Sequence, residues 1–421
     1  MAGNINLPDF NVFNALGLRP SLGITLPEVR SAYRRAFLHV HPDKEPPEGH
    51  FPNHLQAEQA ATYEQTFFPE FGHGDDRVFQ ARRPLPLILS LDFGSSMSAI
   101  QAATTDGSTV FHISQYPRAM SGRSGRGSDM KEVPTLAYYK PSARTPGLEF
   151  GYPPGHRGGW EAVEHLKSLI DPQQAESPPA KAVRDKLQGR YPVDNVLIGM
   201  LTFLHNHARD QLQKVCGRYE IIGFVASIPC TYGKPAQQRY ERLLGEAGWP
   251  VEVLQWVWEP EAVGFSALAD APVLRSLSRE KGGATVLIID LGGLTCDAIG
   301  FAIESFGPQT GTHITREVAA PVGHFGGSGM ARYVFEGWIA QHHPDQQQDI
   351  NRLFDDFWGH VMILKEPEHM DLSNQVDISL EQVQGILDAI FSGVFEFLEE
   401  QLGPMLNSQA WDAIVLSGGT S

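Results

Sequence analysis

The chain has 421 residues, 42% apolar and 19% charged, with a net charge of −16. That length exceeds one small core and predicts two or three domains. The acidic balance argues against nucleic acid and anionic lipid as main partners. Three cysteines (Cys216, Cys230, Cys296), none in a CxxC pair, point away from a disulfide framework and towards a reducing compartment, cytosol or nucleus. The amino terminus lacks a basic region followed by an apolar one, so no secretory signal is expected. No apolar run reaches the roughly 20 residues of a bilayer span, so no membrane is expected as a partner.

The first candidate unit covers 1–70. DFNVFNALGL (9–18) predicts a short helix, and EVRSAYRRAFLHVHPDK (28–44) a second. Val29, Tyr33, Ala36, Phe37 and Val40 recur at helical spacing, with Arg30, Arg34 and Arg35 largely off that stripe. His41-Pro42-Asp43 ends the helix, because Pro disfavours helical backbone at the residue before it. Residues 46–70 give only a weak third helix, through Leu55, Ala60 and Tyr63. A period-free stretch rich in Pro, Gly and charge follows, and 71–86 is expected to be a linker.

From Leu87 onward β-branched strands alternate with helical stretches, the pattern of an α/β domain. In LILSLDFGSSMSAI (87–100) a strand delivers Asp92 at its end. Gly94 removes a β-carbon that would block a phosphate, and Ser95 and Ser96 offer hydroxyl and backbone donors. A second strand resumes at Ser98, which predicts a hairpin instead of the strand-to-helix turn of a Walker loop. The Asp92-Phe93-Gly94 tripeptide lacks the other kinase signatures.

RAMSGRSGRGSDMKE (118–132) and DPQQAESPPA (171–180) read as solvated insertions. VLIIDLGGLTCDAIGFAI (286–303) repeats the first device: Asp290 ends an apolar strand, Gly292 and Gly293 open the backbone, Thr295 adds a hydroxyl, and Asp297 follows. Two carboxylates beside two glycine turns suit a hydrated Mg²⁺, and carboxylates at buried strand ends would be costly without a partner. QHHPDQQQD (341–349) is a polar break between helices. Its own His343-Pro344-Asp345 lacks a preceding basic helix, and its His pair has no further ligand at metal spacing. AIVLSGGTS (413–421) is a third strand-to-glycine turn.

The three turns, in this order, resemble the first phosphate, second phosphate and adenosine motifs of the seventy-kilodalton heat-shock (DnaK-type) chaperones, within the actin and sugar-kinase superfamily. EVPTLAYY (132–139), LEFGYPP (148–154), HLKSLID (165–171), the long segment 224–268 with its Glu259-Pro260, and PVGHFGGSGM (321–330) are similar to the family's intervening stretches. The resemblance implies an actin-like (ribonuclease H-like) two-lobed ATPase over 87–421, with lobes at about 87–285 and 286–421, acting on ATP/ADP with Mg²⁺. It implies that Asp92 and Asp290 hold Mg²⁺ through water and that Lys167 stabilises the transferring phosphoryl group. Glu259 and Thr295 would place the attacking water, and Asp297 would assist metal or proton traffic. Gly326, Gly327, Gly418 and Gly419 would pack on ribose, phosphate and adenine.

The first unit is similar to the J-domain of DnaJ-type co-chaperones, whose basic helix docks on the acidic face of a partner ATPase while the His41-Pro42-Asp43 loop promotes hydrolysis. Chaperones or co-chaperones are the implied protein partners, with unfolded clients reached indirectly.

Four departures from the family pattern bear on activity. Leu294 replaces a third glycine and is expected to crowd the γ-phosphate. The sequence stops at Ser421 within the third turn, which predicts a truncated pocket. The outer second-lobe segment, 331–386, is short, and no peptide-binding β-domain is expected within these 421 residues. Three functions therefore stay open: a chaperone-type ATPase, a non-hydrolysing scaffold or J-type co-chaperone that recruits a separate ATPase, and a metabolite kinase of the same fold.

Overall fold

The computed structural model describes residues 84–418, apart from 106, 108, 120–129, 142–146, 155–158, 188, 271–282, 306–311, 362–369 and 373–374. The unit expected at 1–70, with His41, Pro42 and Asp43, lies outside the described residues, as do most of the linker and Gly419. Among the described residues no helix is long and apolar enough to cross a membrane.

Strand β1 (Leu85–Phe93) begins inside the expected linker and is apolar on both faces, as befits a strand with neighbours on each edge and cover on each side. Antiparallel β2 (Met97–Thr104) returns along it, with Asp92 opposite Ala99. The hairpin expected around Gly94 therefore forms. Strands β3 (Val110–His112) and β4 (Glu132–Pro134) extend the sheet beyond β2. A small sheet of β5 (Ala137–Tyr139), β6 (Leu148–Phe150) and β7 (Glu161–Val163) stands beside it.

The segment 171–180 is solvent-facing through its middle, as expected, but it is anchored at both ends. Asp171 is 3% exposed and accepts a hydrogen bond from the Gln173 N–H, capping a 3₁₀ turn at Pro172–Gln174. Pro178 then opens helix α1 (Pro178–Leu187). Ala180, Val183 and Leu187 of that helix join the core beneath β1. The long helix α2 (Val193–Cys216) adds Leu197, Leu201 and Leu204 to the same core. Strand β8 (Tyr219–Ile228) lies parallel to β1, helix α3 (Lys234–Glu246) follows, and β9 (Leu254–Trp258) lies parallel to β8. The first sheet thus runs β3-β2-β1-β8-β9, with β4 also on β2.

The next helix, α4 (Glu259–Asp270), changes sides. Its Val263 shares a core with Val286, Ile288 and Phe301 of the second sheet. A β-carbon on Gly264 would lie 3.0 Å from the Ile288 side chain, so the helix backbone sits directly on that sheet. The first sheet's last strand is in this way tied to the second half.

In the second half β10 (Ala284–Leu291), β11 (Thr295–Ser305) and β12 (Thr312–Phe325) form an antiparallel meander, and β15 (Ala413–Ser417) pairs parallel with β10. The order β12-β11-β10-β15 repeats β3-β2-β1-β8 with the same strand directions. One arrangement is used twice.

Helix α5 (Ala331–His342), the polar 3₁₀ turn at Pro344–Asp349, helix α6 (Ile350–Val361), the hairpin β13 (Met370–Leu372) and β14 (Val376–Ile378), and helix α7 (Leu380–Glu396) enclose a separate core. Its centre is the Phe335–Phe357 stack, with ring centroids 4.6 Å apart. Farther along, Val394, the π-turn Phe397–Leu402 and helix α8 (Gly403–Ser408) pack under β10 and β11.

Candidate functional site

The site forms where the first hairpin turn of each sheet meets the other. A β-carbon on Gly293 would stand 3.6 Å from Ser96 Oγ and 4.0 Å from Ser95 Cβ. The two glycine turns, about two hundred residues apart in sequence, therefore face each other in van der Waals range. Ser227 on β8 donates from Oγ to Asp92 Oδ1 at 2.8 Å, fixing that carboxylate at the end of β1. Asp290 and Asp297 sit opposite each other on the β10–β11 hairpin. Asp297 is fully buried and accepts the Cys230 backbone N–H through Oδ1 at 2.6 Å, which ties the second hairpin to the end of β8.

Lys167 belongs to a 3₁₀ turn, Leu166–Leu169. It is not a solvated surface lysine: it is 5% exposed and its Nζ is paired with Glu259 Oε1 at the start of α4. The Tyr232 hydroxyl donates to the Lys167 carbonyl at 3.1 Å, holding the turn from below.

Electrostatics bind these groups into one cluster. Burial alone would lower the Lys167 pKa, but the carboxylates of Glu259, Asp92 and Asp297 outweigh it and hold the ammonium charged. Burial raises Glu259 to about 7; Lys167 opposes that rise, while Asp92 and Asp290 add to it. Burial also pushes Asp297 well above the usual carboxylate range, with Glu259 and Asp290 adding to the shift. The Lys167 ammonium thus sits among the carboxylates of Glu259, Asp92 and Asp297, and Asp290 adds its charge on Glu259 and Asp297. Like charges so placed cannot all ionise without a further cation or retained protons.

The glycines serve closure more than ligand space. A β-carbon on Gly94 would meet the Met97 carbonyl at 2.3 Å, so its own turn, and not a phosphate, demands glycine there. Gly292 is constrained in the same way by the Thr295 carbonyl at 3.0 Å. The room expected for ribose and phosphate at Gly326 is filled by the backbone of Gly393 in α7, 2.9 Å from a notional β-carbon. Gly327, at φ 141°, lies against the Gly292 and Gly293 carbonyls, at 2.2 and 2.7 Å from such a carbon. Gly418, at φ 100°, lies similarly on the Leu291 carbonyl at 2.2 Å. These glycines let three turns nest backbone to backbone, and they fix the Gly292–Gly293 loop. Thr295 opens β11, two residues before Asp297.

Leu294 is 2% exposed. Its Cδ2 lies 2.9 Å from where a β-carbon on Gly329 would be. The leucine fills space that a side chain at 329 would need, and it is packed in the protein instead of hanging free in the turn.

Sequence reasoning missed Ser227, Tyr232 and Tyr240. Tyr240 is fully buried, stacks on Trp256, and feels the charges of Asp92 and Glu259. All three lie in the 224–268 stretch, whose Ser and Tyr among apolar residues were the available signal.

Among the described residues no group of three or more His, Cys, Asp or Glu is gathered as a direct metal cage. The fit to a hydrated cation rests on the charge imbalance and on Asp297 Oδ2, which is buried with no hydrogen-bond partner. A first-sphere shell of waters between Asp92 and Asp290 is compatible with that donor set. Compared with known proteins, the chain matches no family model, and no curated protein matches it significantly.

Proposed function

We propose that this chain binds Mg-ATP between its two halves, as an actin-like ATPase domain of the heat-shock chaperone type with a J-like module ahead of it. The observation that carries the reading is that Asp92 and Asp290, from equivalent hairpins of two like-ordered sheets, act on one buried Glu259–Lys167 pair. The Glu259–Lys167 pair, with Asp92, Asp290 and Asp297 acting on it or on one another, carries an excess of negative charge, and a divalent ion carried in with a polyphosphate would offset it. The repeated strand order and the crossing helix α4 support the actin-like architecture, which needs two such sheets facing one cleft.

In this reading Mg²⁺, when bound, neutralises phosphate charge and orients the polyphosphate. Asp92, held by Ser227, and Asp290 would be the carboxylates that hold it. Lys167, kept charged by its neighbours, would offer its ammonium to the terminal phosphoryl group. Glu259, raised to about 7, is able to accept a proton from a water that Thr295 helps to orient. Positioning and charge neutralisation carry most of the catalysis.

A second reading, nucleotide binding without turnover in a scaffold or co-chaperone, is favoured by Leu294, whose bulk stands beside the Lys167 turn. Isothermal titration with Mg-ATP tests the shared core of both readings. Saturable heat is expected, and its absence at high micromolar protein would overturn them. Phosphate release in a single turnover then separates hydrolysis from binding alone.

A further inference from the structure

The residue two before Lys167 is in a conformation its chemistry does not favour. His165 has φ 58° and ψ 36°, left-handed backbone that non-glycine residues adopt at a cost. It starts the turn that carries Lys167, and its carbonyl accepts both the Ser168 N–H at 3.0 Å and the Ser168 hydroxyl at 2.7 Å. Any rotation at His165 is therefore passed to Lys167. The imidazole is 9% exposed and its Nδ1 is buried with no hydrogen-bond partner among the described residues.

The contacts that hold the ring come from the other half of the molecule. Tyr333, in α5, meets it with ring centroids 5.7 Å apart and planes inclined by 53°. Gly329 lies beneath it, since a β-carbon there would be 3.2 Å from His165 Cε1 and 2.9 Å from Leu294 Cδ2. Glu164 approaches Arg332 of α5 at 3.9 Å, a partly exposed pair that adds little by itself. The imidazole thus lies against Tyr333 and Gly329, with Leu294 also on Gly329, and none of the three belongs to the sheet that carries the Lys167 turn.

We infer that His165 is a positioning residue that makes the placement of Lys167 depend on contact between the two halves. While Tyr333 and the Gly329–Leu294 pair cover the ring, the left-handed backbone is held and Lys167 reaches Glu259. When the halves part, the cover is lost and the backbone relaxes to an unstrained region. The lysine then swings away from its carboxylate. The inference rests on the proposed nucleotide site for its purpose, because it links closure around a ligand to alignment of the charged group that meets it.

The test reads the lysine directly and needs no activity. Acetylation of Lys167 by a water-soluble ester, measured by peptide mass spectrometry against the half-exposed Lys181, is expected to be slow in the native protein. Tyr333→Ala should raise the Lys167-to-Lys181 labelling ratio at least tenfold, and Tyr333→Phe, which keeps the ring, should restore it. His165→Ala keeps the cost of the left-handed backbone but offers no ring to grip, so it should label like Tyr333→Ala. It serves as the deciding variant should Tyr333→Ala fail to fold, as judged by melting.

A native labelling ratio in either variant overturns the positioning role, and so does failure of Tyr333→Phe to restore it. Addition of Mg-ATP to the native protein is a separate arm. Lack of Lys167 protection there counts against the nucleotide site and leaves the positioning result standing.

Discussion

Glu259 is the residue on which the two halves' charges converge, and its titration gives the most direct reading of the site. Its carboxyl is raised to about 7 in the folded chain by burial, against an ordinary value of 4.5. A raised folded pKa means that the folded state holds the proton more tightly than the unfolded state. The resulting stability is complete below about 4.5 and is lost as pH climbs through about 7. Without nucleotide, the wild-type chain should therefore lose on the order of a few kcal/mol across that window. Glu259→Gln, which cannot ionise, should flatten that step in urea midpoints measured between pH 4.5 and 7.5. An unchanged step in the variant would mean that other groups set it. The sequence exposed the acidic members of this cluster because a carboxylate at the end of an apolar strand stands out. It did not expose Ser227 or Tyr232, since a single hydroxyl in a strand or turn carries no periodic signal. Nor did it show what the glycines were for: Gly94 and Gly327 were legible as special positions, but only distances reveal that each is shaped by a carbonyl of this chain.

At the level of elements, helix α7 joins two cores that otherwise have few reasons to move together. Val383, Ile386 and Ile390 belong to the outer core, while Val394 lies beneath the second sheet. Its first turn is held by a capping box, in which Ser379 Oγ accepts the Gln382 N–H at 3.3 Å and Gln382 Oε1 accepts the Ser379 N–H at 2.9 Å. Removing the hydroxyl leaves a helix N–H without that partner, so Ser379→Ala should cost about 1 kcal/mol, read as a lower urea midpoint with unchanged slope. A loss near zero would show that solvent satisfies the exposed N-terminus equally well. The SLEQ spelling was a cap that the sequence displayed and that went unread. Helix α4 was hidden for a different reason. Its apolar residues follow from burial in either half, and only the packing of Val263 on Ile288 and Phe301 shows that it crosses. Segment 171–180 is exposed at Pro172, Gln173, Glu176 and Pro178, as its composition implies, but Asp171 anchors the stretch by a local cap that composition cannot report.

For the whole molecule, the decisive quantity is the linkage between ligand and the apposition of the halves. Two sheets of one strand order place a carboxylate each beside Glu259, and the apo protein bears the cost of crowding them. A ligand that brings a divalent cation relieves that crowding and binds only the folded, apposed state. At one hundred times its dissociation constant it should stabilise by about 2.7 kcal/mol, a rise of several degrees in melting temperature for a chain of this size. Asp92→Asn separates this account from a merely structural one. The amide oxygen can still accept from Ser227, and one of the competing negative charges is gone, so the unliganded variant should melt no lower than the native protein. Its shift with Mg-ATP should nevertheless fall to near zero, because the cation has lost one of its two anchoring carboxylates. If the variant instead melts well below the native protein and keeps a full nucleotide shift, Asp92 is a structural carboxylate and the convergence of the two hairpins serves packing alone.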